Sequence, residues 1–78
     1  MDMLSETIEE ARRLLAEGDD KRAADLLTTA AGECRDERRA AMIRSLAIQG
    51  RERAGRFGKR RWDEPIRLAD EQLAGVSQ

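Results

Sequence analysis

The feature that most constrains the fold is the spacing of the apolar residues, which recur every three or four positions in four separate segments. This is the periodicity of an α-helix that buries one face, because about 3.6 residues complete a helical turn. The four faces consist of Leu4, Ile8, Ala11 and Leu15; Ala24, Leu27, Ala31 and Cys34; Ile43, Ala47, Gly50 and Ala54; and Trp62, Ile66, Ala69, Leu73 and Val76. The sequence therefore predicts an all-α fold of four helices.

Glycine and aspartate residues separate the first two segments. Helix 1 is expected over about residues 5–17, since Gly18 adopts the left-handed conformation that ends helices. Helix 2 follows at once and reaches about Gly32, with Asp19 or Asp20 as its N-cap. A link this short joins the two helices into an antiparallel hairpin.

The second half of the chain predicts another antiparallel hairpin. Helix 3 is expected from a cap at Asp36 to about Ala54, and helix 4 begins near Trp62 after a longer turn. Gly50 lies inside helix 3, where it costs about 1 kcal/mol relative to alanine; it either permits a close helix crossing or marks a weak point. Pro65 fits the first turn of helix 4, where its missing N–H loses no partner.

Length and composition predict one helical domain over residues 1–78, because 78 residues match a single domain. The margin of stability of so short a chain is thin, and a second copy is one usual remedy. The lone cysteine, Cys34, forms no disulfide within the chain and is expected in the core. No membrane-spanning run or basic signal segment is apparent, so we expect a cytoplasmic protein without a membrane partner.

Catalytic and metal-binding patterns are missing from the sequence. The chain has no histidine, the commonest general base, and its single cysteine has no histidine to activate it. The paired acids stand near expected helix starts, where they favour the helix dipole. We therefore predict a protein without catalytic residues, metal or cofactor, which acts by binding.

The segment 18–27, Gly-Asp-Asp-Lys-Arg-Ala-Ala-Asp-Leu-Leu, resembles the middle of a tetratricopeptide repeat (TPR). In that family a glycine-centred turn precedes a helix with a small residue and then a bulky one four positions later. Ala23 and Leu27 stand at those positions, and Ala30 stands at the next small one. The resemblance implies stacked helical hairpins.

A second segment, 62–69, is similar, with Pro65 where the family usually has alanine. Ala23 and Pro65 are 42 positions apart, whereas the family repeat is about 34 residues. Two such hairpins fall short of the three or more repeats that are normally needed, which implies self-association. A generic small bundle of four helices fits the same residues, so both architectures stay open.

Charge is distributed unevenly along the chain. Residues 1–20 carry seven acids and two bases, whereas residues 51–61 carry six bases and one acid. The basic segment also contains or adjoins both aromatic residues. The candidate partner-binding residues are Arg51, Arg53, Arg56, Phe57, Lys59, Arg60, Arg61 and Trp62.

Three interpretations of this segment stay open. In the first, Arg51 and Arg53 complement the C-terminus of helix 3, and Phe57 and Trp62 fold into the core. In the second, the segment docks an acidic protein partner or the acidic helix 1 of another copy. In the third, its arginines and aromatic rings contact nucleic acid, although the net charge of the chain is −1.

The sequence as a whole favours a non-enzymatic protein–protein interaction module, a small adaptor or regulatory subunit that self-associates. A groove between the hairpins is one place for a peptide or partner helix. One alternative is a small nucleic-acid-associated regulator that uses residues 51–61. Another is an antitoxin-like or inhibitor subunit that folds on its partner.

Overall fold

The computed structural model describes residues 3–55 and 58–76, the last two of these by their backbone only. Its helices are α1 (Met3–Glu17), α2 (Asp20–Glu33), α3 (Glu37–Arg53) and α4 (Arg60–Val76). No strand occurs in these residues, so the all-α prediction is confirmed. None of the four helices has the length and apolar character that crossing a bilayer requires.

The first hairpin turns at the predicted glycine. Gly18 has φ +87°, and its N–H donates to the carbonyl of Leu15 at 3.1 Å, while the N–H of Asp19 donates to the carbonyl of Leu14 at 2.9 Å. The carboxylate of Asp19 then accepts from the backbone N–H of Arg22 at 3.5 Å. Asp19, rather than Asp20, is therefore the N-cap of α2.

A three-residue joint connects the two hairpins. The carboxylate of Asp36 accepts from the N–H of Arg38 at 3.2 Å and caps α3, as predicted. The thiol of Cys34 is completely buried and donates to the carbonyl of Asp36 at 3.1 Å. Cys34 thus packs as a core residue, which confirms the expectation from its place on the apolar face of helix 2.

Helix α4 begins earlier than the sequence predicted. It starts at Arg60, and a backbone bond of 3.0 Å from Trp62 N–H to Lys59 O closes its first turn. The prediction was wrong because a basic, glycine-flanked run suggested an extended turn, whereas arginine is a good helix former. Pro65 consequently lies in the second turn, where its missing N–H leaves the carbonyl of Arg61 without an i+4 donor.

The two hairpins stack on each other. Helices α1 and α2 pack along each other, as do α3 and α4, and α2 also packs against both α3 and α4. Helix α1 contacts α3 over a smaller area, and it does not contact α4 within the described residues. The Cα atoms span 35 × 27 × 14 Å, the dimensions of a thin slab two helices deep.

The core lies where the predicted apolar faces meet. It is rich in alanine, which lets helix backbones approach closely. Its buried apolar members are Ile8, Ala11, Leu14, Leu15, Ala23, Ala24, Leu27, Ala30, Ala31, Cys34, Ala40, Ile43, Leu46, Ala47, Trp62 and Ala69. Leu4, Ile66 and Leu73, also on those faces, are partly buried against this core, and the side chain of Val76 lies outside the described part.

One contact between α3 and α4 is closer than ordinary side-chain packing. A Cβ built on Gly50 would lie 2.3 Å from Cζ2 of Trp62, so the indole ring rests on the bare backbone of α3. The Trp62 side chain is 0% exposed there. Of the two alternatives that the sequence left open for Gly50, the structure shows the close helix crossing.

Replacing Gly50 by alanine is expected to destabilise the fold. The new methyl group collides with a rigid ring, and overpacking of this kind costs about 1–3 kcal/mol, more than the helix propensity that alanine gains. Gly32→Ala is the matched control, because a Cβ there meets no atom of the described residues within 4 Å; we expect its stability unchanged or raised by up to about 1 kcal/mol. Urea unfolding of both variants measures the difference, and equal stabilities would contradict the packing argument.

Candidate functional site

The structure divides the predicted basic segment rather than presenting it as one surface. Nε of Arg51 lies 3.3 Å from Oδ1 of Asp63 on α4. Arg51 and Arg53 lie in the last turn of α3, as the first interpretation predicted. Nη1 of Arg53 also donates to the carbonyl of Leu15 at 2.9 Å, so its side chain caps the C-terminus of α1 as well. Trp62 is buried, as the first interpretation predicted, and is removed from any partner while α3 and α4 stay packed.

The remaining described bases of the segment lie at the start of α4 or immediately before it. Arg56 and Phe57 fall outside the described residues. Lys59, Arg60 and Arg61 are exposed, and we call them the basic turn. No ion pair joins them to a described residue, and the positive end of the α4 dipole does not favour them there. The basic turn is thus a solvent-facing positive patch that the fold itself does not need.

A groove between α3 and α4, here called the α3–α4 groove, has a volume of about 700 Å³. Both helices contribute charged side chains to its rims and apolar ones to its floor. The lining residues are Arg44, Ile48, Arg51, Glu52, Asp63, Ile66, Arg67, Asp70, Glu71 and Ala74.

Two ion pairs cross the groove. Nε of Arg44 lies 2.6 Å from Oδ1 of Asp70, and the Arg51–Asp63 pair lies two helical turns further along. Because α3 and α4 run antiparallel, stepping four residues from Arg44 reaches Ile48 and stepping four back from Asp70 reaches Ile66. The groove is therefore built as three rungs, an isoleucine rung between two arginine–aspartate rungs.

The two walls of the groove carry opposite charge. The lining residues of α3 comprise two arginines and one glutamate, a net charge of +1, and those of α4 comprise one arginine and three acids, a net charge of −2. Both aspartates are roughly half exposed or more, at 63% for Asp63 and 52% for Asp70. Exposed pairs of this kind contribute at most about 1 kcal/mol each to folding, so their charges stay accessible to a partner.

The isoleucine rung supplies the apolar floor. Ile66 is partly buried against the core. Ile48 is only partly buried and does not belong to the apolar side chains that pack on the core cluster. Its side chain therefore presents apolar surface to the groove without contributing to the core.

Arg67 lies on the α4 wall beside this floor. It hydrogen-bonds the carboxylate of Glu64, and its Nη1 donates to Glu71 at 3.1 Å. The hydrogen bond to Glu64, aided by the negative charges of Glu64 and Glu71, raises the pKa of the Arg67 guanidinium. Arg67 is paired with two glutamates of its own helix. The charge that the α4 wall offers to a partner therefore comes mainly from Asp63 and Asp70.

A second groove lies between the hairpins, where the sequence analysis expected one. It runs between α1 and the start of α3, with a volume of about 540 Å³. Ile8 and Met42 form its apolar part, and Glu9 and Arg38 stand on opposite sides. Ile8 belongs to the core, so this groove offers less free apolar surface than the α3–α4 groove.

The described part of the chain contains no cluster of side chains suited to bind a metal ion and no accessible cysteine nucleophile. No group of three or more cysteine, aspartate or glutamate side chains is placed there to hold a metal ion. The Cys34 thiol is buried and bonded to a backbone carbonyl. What the described surface offers is shape, apolar area and paired charges.

The α3–α4 groove was not predicted from the sequence, although Arg51 was among the candidate partner-binding residues. The signal was present as a second stripe on each helix, Arg44–Ile48–Arg51 at spacings of four and three and Asp63–Ile66–Asp70 at three and four. Matching the two stripes requires the register between α3 and α4, which the sequence pattern did not supply. Opposite charges at equal spacing are the pattern that identifies such a groove.

Comparison of the chain with protein-family models, curated proteins and solved structures yields no match. The resemblance to the tetratricopeptide family therefore remains an expectation from the sequence.

The Arg53 bond to α1 predicts a measurable loss when its side chain is removed. Arg53→Ala leaves the carbonyl of Leu15 without its charged donor, and we expect a loss of about 1 kcal/mol in the free energy of unfolding. Arg60→Ala is the control, since this exposed arginine opens α4 and its removal should change stability by less than about 0.5 kcal/mol. Thermal and urea unfolding compare the two; equal effects would show that the bond contributes nothing.

Proposed function

We propose that the chain is a non-enzymatic protein–protein interaction module, a small adaptor or regulatory subunit, and that the α3–α4 groove is its docking surface. The observation that carries this proposal is Ile48, an apolar side chain that faces the groove between charged rims without packing on the core. Protein interfaces share this anatomy, with an apolar centre surrounded by a polar rim.

The expected occupant of the groove is an amphipathic helix or a pair of helices. A groove between two antiparallel helices accepts a helix whose apolar residues recur every three or four positions. The rungs are spaced one helical turn apart, so each turn of a docked helix faces one rung. The turn that faces the isoleucine rung needs one apolar residue. The opposite charges of the two walls favour a partner that carries both arginines or lysines and acids.

The tetratricopeptide-like resemblance supports the same proposal. Ala23, Leu27 and Ala30, which carry the resemblance, are all buried in the core. The α3–α4 hairpin ends the stack on the side away from α1, so its groove stands where a further hairpin would pack. We propose that docking continues the stack with helices from a partner.

A displayed library of amphipathic helices tests this function without a known partner. We expect helices selected on the wild-type chain to lose about tenfold or more in affinity for Ile48→Asp, because a buried carboxylate in the apolar rung is costly. Ser45→Asp is the matched control, since it places the same charge on an exposed position of α3 outside the groove. Fluorescence anisotropy measures both affinities.

Two outcomes would contradict the docking proposal. One is that no selected helix distinguishes Ile48→Asp from the wild type. The other is that Ser45→Asp weakens binding as much as Ile48→Asp does. Circular dichroism melts of both variants check that the fold is retained. We expect it to be, because Ile48 is only partly buried and lies outside the core.

A second candidate function is favoured by the basic turn, which is exposed and unpaired with any described residue. In this alternative the chain is a small nucleic-acid-associated regulator. Arginine and lysine side chains that contact phosphates release counterions, so affinity falls with salt. The net charge of −1 does not favour it, since nucleic-acid-binding domains usually carry a basic excess.

Glutamine substitution of the basic turn tests this candidate. If the basic turn contacts phosphates, the slope of log affinity against log salt on a single strand becomes less steep by about 2 in the triple variant Lys59→Gln, Arg60→Gln and Arg61→Gln. Lys21→Gln with Arg22→Gln, exposed bases on α2, is the control pair and should leave the slope unchanged. Anisotropy of a labelled oligonucleotide measures the slopes; binding too weak to detect at about 50 mM salt would exclude this function.

A further inference from the structure

We propose that the partner in the α3–α4 groove is the same groove of a second copy, related by a two-fold axis that runs parallel to α3 and α4. This inference rests on the proposed docking function and specifies its partner and geometry. It follows from how charge is arranged on the three rungs. The dimer would contain α3 and α4 of each copy, packed face to face.

The charges of the rungs differ in sign between the two walls of the groove, and each wall carries one sign along its length. The α3 wall presents Arg44, Ile48 and Arg51, and the α4 wall presents Asp63, Ile66 and Asp70 in the matching order. Within the three rungs each wall thus reads charge, isoleucine, charge, with the same sign at both ends; Glu52, and Arg67 with its partner Glu71, line the groove outside the rungs. Such a face is complementary to a copy of itself only when unlike walls meet.

A two-fold axis parallel to the helices brings unlike walls together. It places α3 of one copy over α4 of the other and preserves the height of each residue along the groove. Arg44 of one copy then faces Asp70 of the other, and Arg51 faces Asp63. Each aspartate lies between two arginines, its own and that of the second copy, so each outer rung becomes a network of four alternating charges.

The other face-to-face two-fold axis, perpendicular to the helices, is disfavoured by the same charges. It places α3 over α3 and reverses the order of the rungs, so that Arg44 of one copy meets Arg51 of the other. Asp63 likewise meets Asp70. Like charges opposed across an interface disfavour association, which leaves the parallel axis as the arrangement that the charges favour.

The apolar rung benefits from the same operation. Ile48 of each copy comes to lie over Ile66 of the other, which closes a cluster of four isoleucines between the charged rungs. Ile48, which has no place in the core of one copy, obtains a packing partner. Apolar packing supplies affinity, and the flanking charges fix the register.

Charge reversal on one wall is expected to prevent dimerisation. In Arg44→Asp with Arg51→Asp, all four outer charges of the groove are negative, and in Asp63→Arg with Asp70→Arg all four are positive. We expect each double variant to weaken self-association by about 100-fold or more relative to the wild type, because like charges then meet across the interface. Sedimentation equilibrium measures the dissociation constants, and circular dichroism checks the fold.

The fourfold variant, which combines both reversals, separates the interface from the fold. Its walls have exchanged signs, so its intramolecular pairs are retained and unlike walls again meet in the dimer. We expect it to dimerise within about tenfold of the wild type. If it is folded and remains monomeric while the wild type dimerises, the proposed pairing is overturned.

A mixture of wild type and fourfold variant tests the axis. With the parallel axis, mixed dimers would place arginine on arginine, so we expect the two chains to form separate homodimers. With the perpendicular axis the mixed dimer would be the favoured species. Native mass spectrometry distinguishes the species by mass, and predominance of the mixed dimer would overturn the parallel axis.

The second-copy proposal and the docking function fail on different observations. A wild-type chain that sediments as a monomer at about 1 mM overturns the second copy. If library helices still lose affinity for Ile48→Asp in that case, the groove docks another protein's helices and the proposed function stands. If the double variant Arg44→Asp with Arg51→Asp has the same dimer dissociation constant as the wild type, self-association uses another surface and the proposed dimer is overturned.

Discussion

The indole ring of Trp62 lies on the bare backbone of Gly50, and this contact determines where α4 sits on α3. With no Cβ at Gly50, the ring fits between the helices instead of separating them. The contact holds the two antiparallel helices in one register, and in that register the rungs of the α3–α4 groove line up. The groove proposed to bind a partner is thus the outer consequence of an inner packing constraint.

Burying this ring has a cost that its packing outweighs. Trp62 Nε1 is fully buried and has no hydrogen-bond acceptor among the described residues, which costs about 1–3 kcal/mol. A buried tryptophan removes roughly 150–250 Å² from water, worth about 4–6 kcal/mol as an upper estimate. The balance favours burial, and among the described core residues, most of them alanine, leucine or isoleucine, no other side chain supplies comparable area. The α3–α4 hairpin therefore depends on one large residue and one absent side chain.

Local features of the fold were predictable from the sequence, and contacts distant along the chain were not. The caps at Asp19 and Asp36 and the turn at Gly18 depend on neighbours within a few residues, so pattern and propensity predicted them. The start of α4 was missed because two opposed local tendencies, basic residues at a helix N-terminus and arginine's helix propensity, compete there. The groove was missed because its pairs join residues 12 and 26 positions apart. The Arg53 bond to α1, 38 positions away, was missed for the same reason.

The buried thiol at the joint between the hairpins makes the chain its own kinetic probe. Cys34 is sealed from solvent, so a thiol reagent modifies it only when the joint opens. When closing is fast, the labelling rate in the native chain divided by that in the unfolded chain equals the opening equilibrium constant. Comparing that constant with the global unfolding constant tells whether the hairpins separate while each stays folded. Cys34 labelling thus measures whether the two hairpins, joined by three residues, unfold as one cooperative unit or as two.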